Sequence, residues 1–135
     1  MTDLAKGREF LAGALAVRRW SPEFNDPVNG VALQFGADAQ GVCYELLEPV
    51  GESSPLSKAL ASRKAILNHV AYRVANLEAA AEDLMDRDCV PTGEPNPAIA
   101  YGGRRIQFFF TPLFMIVELI EALDHKHAFT QMAEA

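Results

Sequence analysis

Cysteine is scarce in this chain: Cys43 and Cys89 are the only two, far apart and in no C-x-x-C or zinc-finger spacing. A disulfide scaffold and a thiolate zinc site are thereby excluded, and a reduced cytoplasmic setting is the simplest expectation. Long apolar runs are missing as well. The segment FLAGALAV (10–17) has the length of a signal-peptide core, but Asp3 and Glu9 stand where a basic start is required and Arg18-Arg19 follows it. Nothing approaches the roughly 20 apolar residues that span a bilayer, so no membrane partner is expected. Positive charge is in deficit, with 12 Lys and Arg against 18 Asp and Glu and a net charge of −6. Scattered basic residues on an acidic chain exclude a nucleic-acid surface. Histidine is rare too, and His69 is the only one outside the C-terminal tail.

What is present is an ordinary globular composition, 50% hydrophobic and 22% charged over 135 residues, enough for one well-formed domain. Its main feature is a repeat. Displacing the chain on itself by 73 positions (118 − 45) puts Leu4 on Leu77, Leu11 on Leu84, Gly30 on Gly103, Gln34 on Gln107 and Phe35 on Phe108. Under the same displacement Glu45-Leu46-Leu47-Glu48 falls on Glu118-Leu119-Ile120-Glu121. One gapless offset joining three segments implies two copies of one supersecondary unit, each too small to bury a core alone. The expected organisation is a single domain: a first module over 1–50, a linker over 51–65, a second module over 66–122 and a tail over 123–135.

Apolar spacing predicts a helix from Asp3 to about Arg18, capped by Thr2 or Asp3, and a second from Asn76 to about Arg87. The proline- and asparagine-rich stretches 21–30 and 90–103 read as loops. Strands are expected at 31–35, 42–48, 66–74, 104–110 and 114–121, with a short linker helix after Pro55. The strand of His69 opens the second module, but its counterpart in the first would fall before Met1, so the first module lacks its leading strand.

Alternation along these strands assigns Leu33, Phe35, Tyr44, Leu46, Val70, Tyr72, Ile106, Phe108, Val117 and Leu119 to the helix side. The opposite face then collects Gln34, Cys43, Glu45, His69, Arg73, Arg105, Gln107 and Glu118, with Phe109 the one aromatic candidate beside them. An imidazole with two carboxylates, His69 with Glu45 and Glu118, is a workable set for a hard or borderline divalent ion. Equally, one sheet face can meet solvent, with the same residues as ordinary surface groups. Arg73 and Arg105 could hold a substrate carboxylate or phosphate, or be exposed arginines on a sheet. His125 and His127 form an H-x-H pair that reads as a solvated tail.

The segments HVAYRVANLEAAAEDL, GGRRIQFF and VELIEA, with the earlier ELLEPVGESSPLSKAL, resemble the vicinal oxygen chelate superfamily of glyoxalases, methylmalonyl-CoA epimerases, extradiol dioxygenases and bleomycin-resistance proteins. Within it the likeness is to the methylmalonyl-CoA epimerase and glyoxalase-like branch, over about residues 3 to 122. The resemblance implies an α+β fold of tandem βαβββ modules around a divalent metal, whether zinc, nickel, cobalt or manganese. It maps the metal ligands onto Glu45, His69 and Glu118. The fourth ligand, usually a histidine in the first strand of the first module, has no counterpart here, which leaves a late start of the chain, a three-ligand site or a dead site as alternatives.

Two functions follow as expectations. One is a metal-dependent lyase or isomerase acting through an enolate or enediolate on a small oxygen-bearing substrate such as an acyl thioester. Glu118 is then the candidate base, and Gln34, Arg73, Arg105, Gln107 and Phe109 are the substrate contacts. The stretch 24–30 offers Asn25 and Asp26 but no match to the epimerase glutamate. The other function is a non-catalytic small-molecule binder of the bleomycin-resistance type. A homodimer is expected in either case, since a module short of one strand leaves an edge to be covered.

Overall fold

A computed structural model describes residues 3–61 and 69–124 of the chain. The chain parts between Lys64 and Ala65 into two compact units. The first holds α1 (Leu4–Ala14), β1 (Arg19–Trp20), β2 (Phe24–Asp26), β3 (Val31–Ala37), β4 (Cys43–Pro49) and α2 (Pro55–Ala61). The second holds β5 (His69–Arg73), α3 (Leu77–Met85), β6 (Val90–Pro91), β7 (Asn96–Ala98), a 3₁₀ turn (Ile99–Tyr101), β8 (Arg104–Phe110) and β9 (Ile116–Ile120). His125, His127 and residues 62–68, which include the first three positions of the expected 66–74 strand, lie outside the described residues.

The same local chemistry builds each unit, at the same 73-residue displacement. Asp3 caps α1 by accepting from the Lys6 amide, and Asn76 caps α3 by accepting from the Ala79 amide. The amide of Leu4 donates to the Glu48 carboxylate at 2.9 Å, and that of Leu77 donates to Glu121 at 2.8 Å. A carboxylate at the end of the last long strand of the unit, Glu48 within β4 and Glu121 just after β9, thus meets the positive end of its helix. Gly30 and Gly103, at φ 65° and 81°, turn the chain into β3 and β8.

The α1 helix stops at Ala14, short of the Arg18 expected, and Ala16 at φ 53° turns the backbone out of the helix. The two expected loops contain β2, and β6 with β7, because each returns antiparallel along the long strand that follows it. Sheet one runs β1 and β2 along β3, which pairs with β4; sheet two runs β5–β9–β8, with β6 and β7 along β8. The β5–β9 pair is parallel, and α3 is its crossover. Leu77 and Ala81 of α3 pack with Cys89, Phe109 and Leu119 to form the core of the second unit. Cys43 is exposed and Cys89 is buried.

Where the second unit has Phe109, the first has Gly36. A methyl there would meet Trp20 Cζ3 at 2.6 Å and Val17 Cγ1 at 2.7 Å, so the tryptophan ring occupies the space that the absent side chain leaves.

Candidate metal centre

The second unit brings two of the expected residues together. His69 opens β5 and Glu118 lies on β9; parallel pairing of His69 with Ile116 and Ala71 with Glu118 turns both side chains to one face. The His69 Nε2 atom stands 2.7 Å from Glu118 Oε2, with the side chains 8% and 5% exposed. At that distance one proton is shared along a charge-assisted bond in water-poor surroundings. The ring of Phe108 meets the His69 imidazole edge to face, with centroids 5.2 Å apart. It limits the rotation of the imidazole and lowers the polarity around it.

Phe108 was expected against the helix. Opposed residues of an antiparallel pair share a face, and the β8–β9 register sets Phe108 opposite Glu118 and Gln107 opposite Leu119. The assignment of β8 therefore inverts, with Arg105, Gln107 and Phe109 on the helix side and Ile106, Phe108 and Phe110 on the face of His69. The first unit inverts likewise. Phe35 lies opposite Glu45 and Gln34 opposite Leu46, on the side from which Glu48 reaches α1.

These side chains have structural partners. Gln34 donates to the Ser21 carbonyl at 2.8 Å and Gln107 to the Gly93 carbonyl at 3.0 Å, each tying a long strand to the chain leaving the helix. Phe109 is wholly buried in the α3 core. Arg105 bridges Glu78 on α3 and Glu121, the residue after β9, with bidentate bonds to both. The guanidinium lowers the pKa of both carboxyls, and that of Glu121 is lowered further by the Leu77 amide. Arg105 in turn is held charged more firmly than a free arginine. The adjoining open cleft of about 530 Å³ is lined by Ala75, Arg104, Arg105, Glu121, Leu123 and Asp124, so its cations already face acidic neighbours.

Arg73 keeps its expected place on the face of His69, two alternations further along β5, with its side chain exposed. Glu45 stands half-buried on β4, opposite Phe35, with its side chain turned from the α1 side of its own sheet. Asp26, the acidic residue of the 24–30 stretch, is 2% exposed and accepts from the amides of Val28 and Asn29 and from the Asn29 side chain. It holds a turn. The missed residue is Phe108, and its signal was in the sequence, since the Gln-Phe pair recurs in both units.

Paired units with a crossover helix and a buried imidazole–carboxylate pair define a known class. The chain belongs to the Glyoxalase/Bleomycin resistance protein/Dioxygenase superfamily, whose family model matches residues 1–108. Solved structures share the fold: a hypothetical protein from Bacillus halodurans C-125 at 22% identity has TM-score 0.79, with 94% of this chain and 91% of that one covered. Methylmalonyl-CoA epimerase from Mycobacterium tuberculosis is 23% identical at TM-score 0.74, covering 89% of this chain and 81% of that one. A Streptomyces coelicolor methylmalonyl-CoA epimerase variant, in complex with 2-nitronate-propionyl-CoA, matches at 23% identity and TM-score 0.74, over 93% and 90%. No curated protein matches the chain. Among the described residues no helix is long and apolar enough to cross a membrane.

Proposed function

We propose that this chain is a metal-dependent enzyme of the superfamily that moves a proton next to a carbonyl, on a small oxygen-bearing substrate such as an acyl thioester. The observation that carries this reading is the buried His69–Glu118 pair at 2.7 Å. An imidazole nitrogen and a carboxylate oxygen are donors suited to zinc, nickel, cobalt or manganese, and an ion would take the place of the proton they share. Glu45 is the third ligand in this reading, since the internal repeat gives it the position of Glu118. When bound, such an ion supplies positive charge beside an oxygen that gains negative charge as the α-proton leaves.

The remaining chemistry falls to the protein. Glu118 is the candidate base, through the carboxylate oxygen that an ion would leave free, while His69 would hold the ion. Phe108 orients the imidazole and excludes water from it, and Arg73, exposed on the same face, is the candidate partner for a substrate carboxylate or phosphate. The assembly is a homodimer in this proposal, which a single monomeric species in sedimentation velocity at micromolar concentration would contradict.

The test is metal content after purification without chelator, with exchange of the thioester α-proton into deuterated water as the activity assay. About one divalent ion per chain is expected, lost in His69→Ala and Glu118→Ala, with exchange lost in parallel. A non-catalytic binder is the second reading, favoured by the same hydrogen bond, which satisfies both side chains with no ion at all. It predicts no bound metal, no thermal stabilisation by added cobalt, nickel or zinc, and no exchange.

A further inference from the structure

The two units carry one hairpin turn twice, and the copies differ in a way that folding does not explain. In the first unit, between β3 and β4, the amide of Asp38 donates to the Val42 carbonyl and that of Gly41 to the Asp38 carbonyl. The Gln40 amide donates to the Asp38 side chain. In the second, between β8 and β9, Thr111 bonds to Met115, Phe114 to Thr111, and the Leu113 amide to the Thr111 hydroxyl. Asp-Ala-Gln-Gly-Val has become Thr-Pro-Leu-Phe-Met.

The fourth residue of the turn is left-handed in both copies, Gly41 at φ 85° and Phe114 at φ 60°. Glycine adopts that conformation freely, whereas an aromatic residue there is strained. Burial does not offset the strain, because Phe114 is 84% exposed and Leu113 80%. Met115 and Phe110 also reach solvent. A turn that is strained at Phe114, and that exposes Leu113 and Phe114 where its duplicate has Gln40 and Gly41, has a contact to make.

Its place on the sheet indicates with what. Ile116, the first residue of β9 after the turn, pairs with His69. Phe108, against the His69 ring, and Phe110 point to the same face, and Phe110 stacks edge to face on Phe114 at 6.0 Å. Phe108 and Phe110 thus stand in line on one face, from the imidazole at one end to the turn at the other. Two residues of strand separate Phe108 from Phe110, roughly 7 Å, the length of an extended chain of about five or six carbons.

We propose that the 111–115 turn, with Phe110, is the seat for an apolar acyl or aryl group of the substrate whose reacting end lies at His69 and Glu118. The inference rests on the proposed function and narrows it, from small oxygen-bearing compounds to those with an apolar arm reaching about 7–10 Å from the reacting carbon.

The test compares the native protein with the double variant Leu113→Gln/Phe114→Gly, which gives the turn the residues its duplicate has. Acetyl-, butyryl-, hexanoyl- and octanoyl-CoA are titrated calorimetrically into each. The native affinity should rise about three- to fourfold per added methylene up to the hexanoyl chain, as burial of apolar surface requires. The variant should bind acetyl-CoA unchanged, lose the dependence on length, and melt no lower, since glycine relieves the strain. Binding of every thioester with equal affinity to the native protein would overturn the seat and leave the proposed function standing. No binding of any of them, with no metal in the purified protein, would remove both. Length-independent binding by a native dimer that the variant converts to monomer would reassign the turn to self-association and overturn the proposal.

Discussion

At Gly36 the structure is decided by a side chain that is not there. A methyl group would sit at 2.6 Å from the Trp20 ring, so Gly36→Ala should destabilise the first unit by about 1–3 kcal/mol, the usual cost of overpacking. Urea unfolding followed by Trp20 fluorescence checks this, and an unchanged midpoint would mean that the ring can move aside. Phe108 is the opposite case, a residue whose side chain shapes the centre without supplying a ligand atom. Phe108→Ala should leave the metal content intact while weakening the hold on the His69 ring, visible as broadened imidazole resonances. His69 and Glu118 were legible as a pair because alternation along β5 and β9 is correct. Gln34, Arg105, Gln107 and Phe109 were misplaced because alternation was taken to separate water from core. In β3 five successive residues, Leu33 to Ala37, are buried, so polarity there reports hydrogen-bond partners and not the solvent side.

At the level of elements, the joint between α3 and β9 carries the acid sensitivity of the second unit. Arg105 and the Leu77 amide hold the Glu121 pKa below that of a free carboxyl, and Arg105 holds that of Glu78 down. A lowered folded-state pKa adds stability above the unfolded value, about 4.3 for glutamate, and that stability is lost as pH falls through the folded value. Stability of the native protein should therefore decline below about pH 4.5, while Glu121→Gln should flatten the decline and lower stability at neutral pH. Thermal melts at pH 3 to 7 measure both. Asn76→Ala should cost about 1 kcal/mol by removing the cap of α3. The cap of α1 and the long strands β3, β4, β8 and β9 were legible because their signals are local. The short strands β1, β2, β6 and β7 were not, since they are held by the long strand they return along and have no pattern of their own.

Across the molecule, the repeat was the strongest signal, because a fixed offset tests many residues at once. The same offset relates caps, carboxylate-to-helix bonds and turns in the structure. An ion bound at His69 and Glu118 would stabilise the native state by about 2.7 kcal/mol at a hundredfold excess over its Kd, a shift that differential scanning calorimetry resolves and that His69→Ala should abolish. The parallel pairing of β5 with β9 also sets an order of events in time. The β8–β9 hairpin closes over a few residues, but His69 meets Ile116 across a separation of 47 positions (116 − 69). Local hairpins form in microseconds, whereas contacts this distant wait on the rest of the chain. The imidazole and the carboxylate are therefore strangers for most of the folding reaction. Bound zinc should slow unfolding and leave the refolding rate unchanged, so the ion acts as a latch on a finished molecule and not as a nucleus for an unfinished one.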